Sequence, residues 1–279
     1  MAREETRHYQ LCLLLMMIIK NTNGYSPALH NNGYEGIVVA IGDHVEDNPH
    51  IIQNIQNMFE EASEILYEAT RHRAYFREVT IVVPSTWKHR DEYQETKGSG
   101  WFSEAEIRID LPHPSHGVTP YTLQSGGCGE PASYTHLSNV YASEMYGKLR
   151  NIYGPPGKLL VHEWAHLRWG VFDEYGEPGT PFPPFYIGED LEVRSSSCPN
   201  TLRGWLMSEA GEQCQADDRG LPDAQCHFYP ASKENSNASL MGLYFLDSVT
   251  DDTLGWRQCH PNDTQQSRFM MMKLTTLIS

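Results

Sequence analysis

The 279-residue sequence has no apolar run approaching the roughly 18 residues that a membrane-crossing helix needs. The expectation is therefore no integral membrane span, and a chain that cannot by itself build a helical channel. No Cys-x-x-Cys pair occurs, which argues against a cysteine-based zinc site. The glycine-rich run Gly126-Gly127-Cys128-Gly129-Glu130 is not followed by Gly-Lys-Ser/Thr, so it reads as a tight turn and not as a phosphate loop. Nothing resembles a calcium-binding EF-hand loop. Basic residues are scarce: 21 Lys and Arg stand against 36 Asp and Glu, a formal net charge of −15. Such a chain is a poor partner for nucleic acid or for an anionic membrane surface. Hydrophobic residues make up 39%, which suits a soluble globular protein, and the length is enough for one large domain or two lobes.

The longest apolar run is the nine-residue Leu11–Ile19, preceded by Arg3 and Arg7 and followed by small and polar residues. It is too short to span a bilayer and reads as a secretory signal peptide over 1–24, so the protein is expected to be secreted, either free or associated with the cell surface. Of six cysteines, Cys12 falls in that segment. Cys128, Cys198, Cys214, Cys226 and Cys259 remain, and in a secreted chain they read as disulfides with one thiol left over. Asn237 and Asn262 open sequons and are candidate glycosylation sites.

Gly36–Ile41 is a short β-branched run, hence a buried strand. Asn48-Pro49 reads as N-cap and first residue of a helix reaching about His72, whose apolar residues recur at helical spacing. Val79–Val83 is a second buried strand, so a βαβ unit opens the fold. Glu106–Leu111 alternates apolar with charged residues and reads as a half-exposed edge strand. His113 and His116 flank a proline-rich turn and read as loop histidines. A short helix is expected over Ser143–Asn151.

The most informative stretch is Leu159–Tyr175, LLVHEWAHLRWGVFDEY. His162 and His166 stand at i and i+4, one turn apart on one helical face, so both imidazoles can reach one cation. Glu163 lies about 100° round the helix and can reach a water held on that cation. Zinc lowers the pKa of such a water to roughly 7, and a neighbouring carboxylate can take its proton and later deliver it to a leaving amine. A bare His-Glu-x-x-His also occurs on metal-free surface helices. Here Leu159, Leu160, Val161, Trp164, Ala165 and Leu167 make the helix apolar nearly all round, and buried polar groups need partners. Gly170 is a good helix terminator, after which the chain can return to the metal. Asp173 is the favoured third ligand, with Glu174 and Glu177 as competitors.

This stretch resembles the signature of the calcium-activated chloride channel regulator (CLCA) family. Asn31–Val45, Arg77–Lys88, Pro120–Glu130 and Ala238–Val249 carry the same resemblance. It implies a secreted, zincin-like metallopeptidase domain of α+β class: a mixed sheet, a backing helix and an active-site helix over 25–170, then a cysteine-containing lower lobe over 171–279. The family's Zn2+ ligands fall on His162, His166 and Asp173, and its catalytic acid on Glu163. Family members look like self-cleaving metalloproteases that modulate chloride channels. The partners implied are thus a protein or peptide substrate, possibly the chain itself, and a calcium-activated chloride channel. Ser239-Leu240-Met241-Gly242 resembles the methionine turn beneath zinc in related peptidases. The similarity fades after about Asp251, and no Asp-x-Ser-x-Ser motif of a von Willebrand factor A-like domain occurs, so the lower lobe is expected to be truncated. The alternative expectation is a non-catalytic secreted regulator that keeps the fold and binds a channel or matrix partner.

Overall fold

The computed structural model describes residues 27–94, 100–127, 129–176, 183–188, 190–196, 204–208, 212–223, 226–230 and 239–245. The expected signal peptide, both sequon asparagines, Glu177, Cys12, Cys128, Cys198 and Cys259 lie outside those residues. The chain opens with strands β1 (Ala28–His30), β2 (Gly33–Glu35) and β3 (Ile37–Ile41), then helix α1 (Pro49–Ala69). Next come β4 (Tyr75–Phe76), β5 (Val79–Val82), α2 (Trp101–Glu104), β6 (Ile107–Asp110), β7 (Tyr121–Thr122) and β8 (Thr135–Ser138). Helices α3 (Asn139–Glu144), α4 (Arg150–Tyr153) and α5 (Pro156–Trp169) follow. Two hairpins, β9 (Phe185–Ile187) with β10 (Val193–Ser195) and β11 (Gly204–Ser208) with β12 (Cys226–Pro230), precede the one-turn α6 (Leu240–Leu243).

The main sheet has the order β5-β3-β6-β8-β7. Its first four strands run parallel, and β7 pairs antiparallel with β8 at the outer edge. The strand–helix–strand start expected from sequence is present as β3, α1 and β5. Asn48 caps α1, its side chain accepting from the His50 N–H at 3.1 Å, and Pro49 occupies the first turn, where a missing N–H costs nothing. The stripe Ile51, Ile55, Met58, Phe59, Ala62 and Leu66 packs one face of α1 into the core shared with Ile37, Val39, Ile107, Ile109 and Leu137 of the sheet.

Glu106–Leu111 is not an edge. β6 lies in the interior of the sheet, between β3 and β8. Its alternation arises because Ile107 and Ile109 face the helices, whereas Arg108 lies on the opposite face with its guanidinium over the Tyr134 ring, 3.9 Å from the centroid. The edges are β5 and β7; β7 is too short to leave a periodic signal, and its neighbour β8 hides its burial behind Thr135, His136 and Ser138. The helix expected over Ser143–Asn151 is also displaced. That span straddles the end of α3 and the start of α4, with turns between.

Helix α5 is buried along its whole length except at Arg168. Its contact with α1 is close: a Cβ on Gly157 would stand 2.9 Å from the Ala62 nitrogen, so only glycine fits there. Trp164 pins the middle of the helix, meeting Tyr34 and Phe76 edge-on with centroids 5.0 and 5.1 Å away. In the later part of the chain, a Cys214–Cys226 disulfide accords with the reading of those cysteines as bridged. Among the described residues no helix is long and apolar enough to cross a membrane.

Two outcomes follow from this packing. Trp164→Ala should lower the unfolding free energy in urea by about 3–5 kcal/mol, the usual cost of emptying such a site, and a loss below about 1 kcal/mol would contradict its anchoring role. The second concerns Glu106, a buried carboxylate that accepts from the Val38 N–H at 2.8 Å and whose pKa burial pushes up from 4.5 to about 7. Between those two values the native chain keeps a proton that the unfolded chain has lost, so stability from this group falls as pH rises through the window. Glu106→Gln should therefore raise the thermal midpoint above about pH 7, with the gain fading as pH falls below the window. A midpoint difference that is the same at both ends of the window would refute the assignment.

Candidate metal centre

The site is built at the C-terminal end of α5. Gly170 takes the left-handed conformation (φ 63°, ψ 32°), and its N–H donates to the His166 carbonyl at 3.0 Å. A side chain here would meet both the strain of positive φ and the backbone of Glu130, which lies against the glycine. The Gly129 N–H donates to the Gly170 carbonyl at 2.9 Å, so the glycine-rich turn fastens the helix end. The reversal carries Asp173 back over the last two turns of α5. The Glu174 N–H donates to the Met241 carbonyl at 2.9 Å and ties the returning chain to α6.

His162 Nε2, His166 Nε2 and Asp173 Oδ1 form a triangle whose three edges are each 3.2 Å. Among the described residues it is the one group of three or more His, Cys, Asp or Glu ligand atoms drawn together in this way. Each ring is held from behind by a backbone carbonyl. His162 Nδ1 donates to the Leu240 carbonyl at 2.9 Å, and His166 Nδ1 to the Val171 carbonyl at 2.5 Å. In neutral rings these bonds place the proton on Nδ1 and leave Nε2 as a lone pair facing inward. Asp173 Oδ1 is buried and has no hydrogen-bond donor in that state. Three acceptors facing one another in a buried space require a cation or a proton between them.

The dimensions suit a metal ion. Zinc bonds to His N and carboxylate O at about 2.0–2.2 Å, which in a tetrahedron separates neighbouring ligands by about 3.3 Å. Electrostatics point the same way. Burial disfavours a charge on His162, and its pKa falls despite Asp173 and Glu163 nearby. Burial opposes charge on His166 too, but the hydrogen bond and charge of Asp173 prevail and raise it to about 9. Burial likewise works against ionised Asp173, yet the two histidines hold its pKa below the ordinary value.

Glu163 stands beside this triangle, almost wholly buried, and Thr122 Oγ1 donates to its Oε2 at 2.6 Å. Glu174, a competitor for the third ligand, is turned away toward Ser239, and burial pushes it up to about 7. The Tyr244 ring lies 4.5 Å from that of His162. Met241 is buried in the main core, and it is the carbonyl of its neighbour Leu240 that meets His162. His113 and His116 lie elsewhere, beside Tyr121 on the sheet's opposite face, where His116 stacks on Tyr121 at 4.2 Å. Sequence reasoning assigns no role to Thr122, Leu240 or Val171, although Leu240 lies in the stretch that resembles a methionine turn. One is a hydroxyl on a two-residue strand, and the other two act through their main chain.

The family model for the N-terminal region of calcium-activated chloride channels matches residues 28–271. The chain belongs to the calcium-activated chloride channel regulator (CLCA) family. This CLCA chain is 39% identical over 231 residues to calcium-activated chloride channel regulator 1 of Bos taurus, covering 80% of the chain and 25% of that protein. It is 36% identical over 249 residues to regulator 3A-1 of Mus musculus and 35% identical over 247 residues to regulator 4 of Homo sapiens. These cover 86% of the CLCA chain in both cases, and 27% and 26% of the relatives. It thus spans about a quarter of the length of the curated relatives it matches. No solved structure matches it.

If the triangle holds a metal, removing a corner should weaken it beyond the roughly 10–100-fold loss typical of an outer-shell change. Asp173→Ala is expected to do this in competition titrations with a zinc chelator, whereas Glu174→Gln should have a smaller effect. The reverse ranking would make Glu174 the third ligand.

Proposed function

We propose that this CLCA chain is a secreted zinc metalloendopeptidase with a zincin-like arrangement. Residues 1–24 act as its signal peptide, 25–170 form the upper lobe ending in the metal helix, and 171–279 form the lower lobe. His162, His166 and Asp173 hold Zn2+, and Glu163 is the proton carrier. The observation that carries this reading is the buried triangle of ligand atoms with a clamped carboxylate next to it. Zinc bound there would polarise the scissile carbonyl and acidify water.

The protein's own groups do the rest. The Leu240 and Val171 carbonyls keep the two imidazoles in the tautomer that points Nε2 at the metal. Glu163 takes a proton from the attacking water and returns it to the leaving amine nitrogen. The low-polarity surroundings of α5 strengthen every charge interaction made there. The substrate is a protein or peptide, with the chain itself a candidate. The relatives are named calcium-activated chloride channel regulators, and we extend that role to this chain, with such a channel as its downstream partner. The word regulator in those names favours a second reading, a secreted protein that acts by binding a channel or matrix partner and not by cleavage.

Glu163→Gln separates the two. It should keep about one zinc per chain, as a single site requires. It should lose peptide cleavage by roughly 10²–10⁴-fold, the usual worth of a general acid–base. Cleavage at the wild-type rate would sink the peptidase role of Glu163. If the variant modulates chloride current as well as the wild type does, the binding reading takes over.

A further inference from the structure

We propose that Thr122 and Thr135 are positioning residues that fix the carboxylate of Glu163 in its working rotamer and leave Oε1 as the oxygen that moves the proton. This rests on the reading of Glu163 as proton carrier given above. The two threonines are register partners across the β7–β8 pair. Their hydroxyl oxygens are 2.8 Å apart, and that of Thr122 is 2.6 Å from Glu163 Oε2.

Donor arithmetic sets the direction of both bonds. An ionised carboxylate only accepts, and a hydroxyl has one proton to give. Thr122 therefore spends its proton on Oε2. The contact between the hydroxyls must then be a donation from Thr135 to Thr122. Thr135 is 1% exposed, so water offers its hydroxyl little alternative. Thr122 Oγ1 also lies 3.3 Å from the Glu163 carbonyl oxygen, a weaker acceptor that competes for the same proton and loses to the carboxylate at 2.6 Å. Each bond polarises the next, so the pair grips the carboxylate more firmly than a lone hydroxyl would.

Threonine suits the task because its β-branch restricts χ1 on a strand. Glu163 has freely turning side-chain bonds, and an unrestrained carboxylate would have to be ordered during the reaction itself. The clamp orders it when the sheet forms. With Oε2 committed to Thr122, Oε1 is the oxygen left for the chemistry: it gains the proton of the attacking water and gives it to the amine nitrogen. The edge strand thus acts on the chemistry through a side chain and not through its backbone alone.

The test uses the full-length protein with Thr122→Val, Thr122→Ser, Thr135→Val and Glu163→Ala. Thr122→Val should lower kcat by roughly 10–100-fold, the scale of losing near-attack positioning. KM and zinc content should stay unchanged, and Thr122→Ser should restore most of the rate. Thr135→Val, which leaves the carboxylate contact in place, should give a smaller loss of the same kind. A rise in KM with kcat intact would overturn the proposal, as would a failure of serine to rescue. A second readout needs no activity. In thermal unfolding, Thr122→Val should lower the midpoint in the wild-type background and much less in the Glu163→Ala background. Additive shifts overturn the clamp whatever the kinetics say. Coupled shifts in a protein that cleaves nothing would leave the clamp standing and remove the peptidase reading instead.

Discussion

Two imidazole lone pairs and a carboxylate oxygen meet inside the protein with no donor among them. That repulsion governs the structure. It cannot be relieved by turning a ring, because each histidine is already bonded from behind to a main-chain carbonyl. It cannot be relieved by water reaching in freely, because α5 is buried on nearly all sides. One positive charge settles the account, as a proton shared between His166 and Asp173 or as a metal ion. The elevated pKa of His166 and the depressed pKa of Asp173 are two views of that single demand.

The rest of the fold is arranged to make this convergence possible. A helix that carries ionisable groups into a core must be held rigidly. Gly157 lets α5 sink against α1, Trp164 locks it among Tyr34 and Phe76, and Gly170 ends it where the chain must fold back. On the other flank, β7 brings Thr122 to Glu163. The parallel part of the sheet supplies the apolar wall. Its single antiparallel strand supplies the polar contact.

Much of this was legible in the chain itself, for a physical reason. Helical spacing, β-branched runs and a glycine after the last turn are local signals, and they located β3, α1, β5 and α5 with the left-handed Gly170. The pair His162 and His166 is also local, being one turn apart. Asp173 was reachable because it follows closely after the terminator. What failed was non-local. The place of β6 in the interior depends on β8, a strand whose Thr, His and Ser residues look exposed until the fold buries them. Thr122 and Leu240 lie 41 and 78 residues from the groups they hold, and only Leu240, within the stretch that resembles a methionine turn, has a neighbourhood that points to the site.

The bond between His162 and the Leu240 carbonyl has a bearing on timing. A growing chain would complete α5 well before residue 240 has been made. Until then His162 lacks the acceptor that fixes its tautomer, and the ring is free to present either nitrogen. The order of synthesis therefore builds in a delay: the pair His162 and His166 is written early and aligned late. The triangle of ligand atoms is therefore complete only once the turn carrying Leu240 has closed over His162.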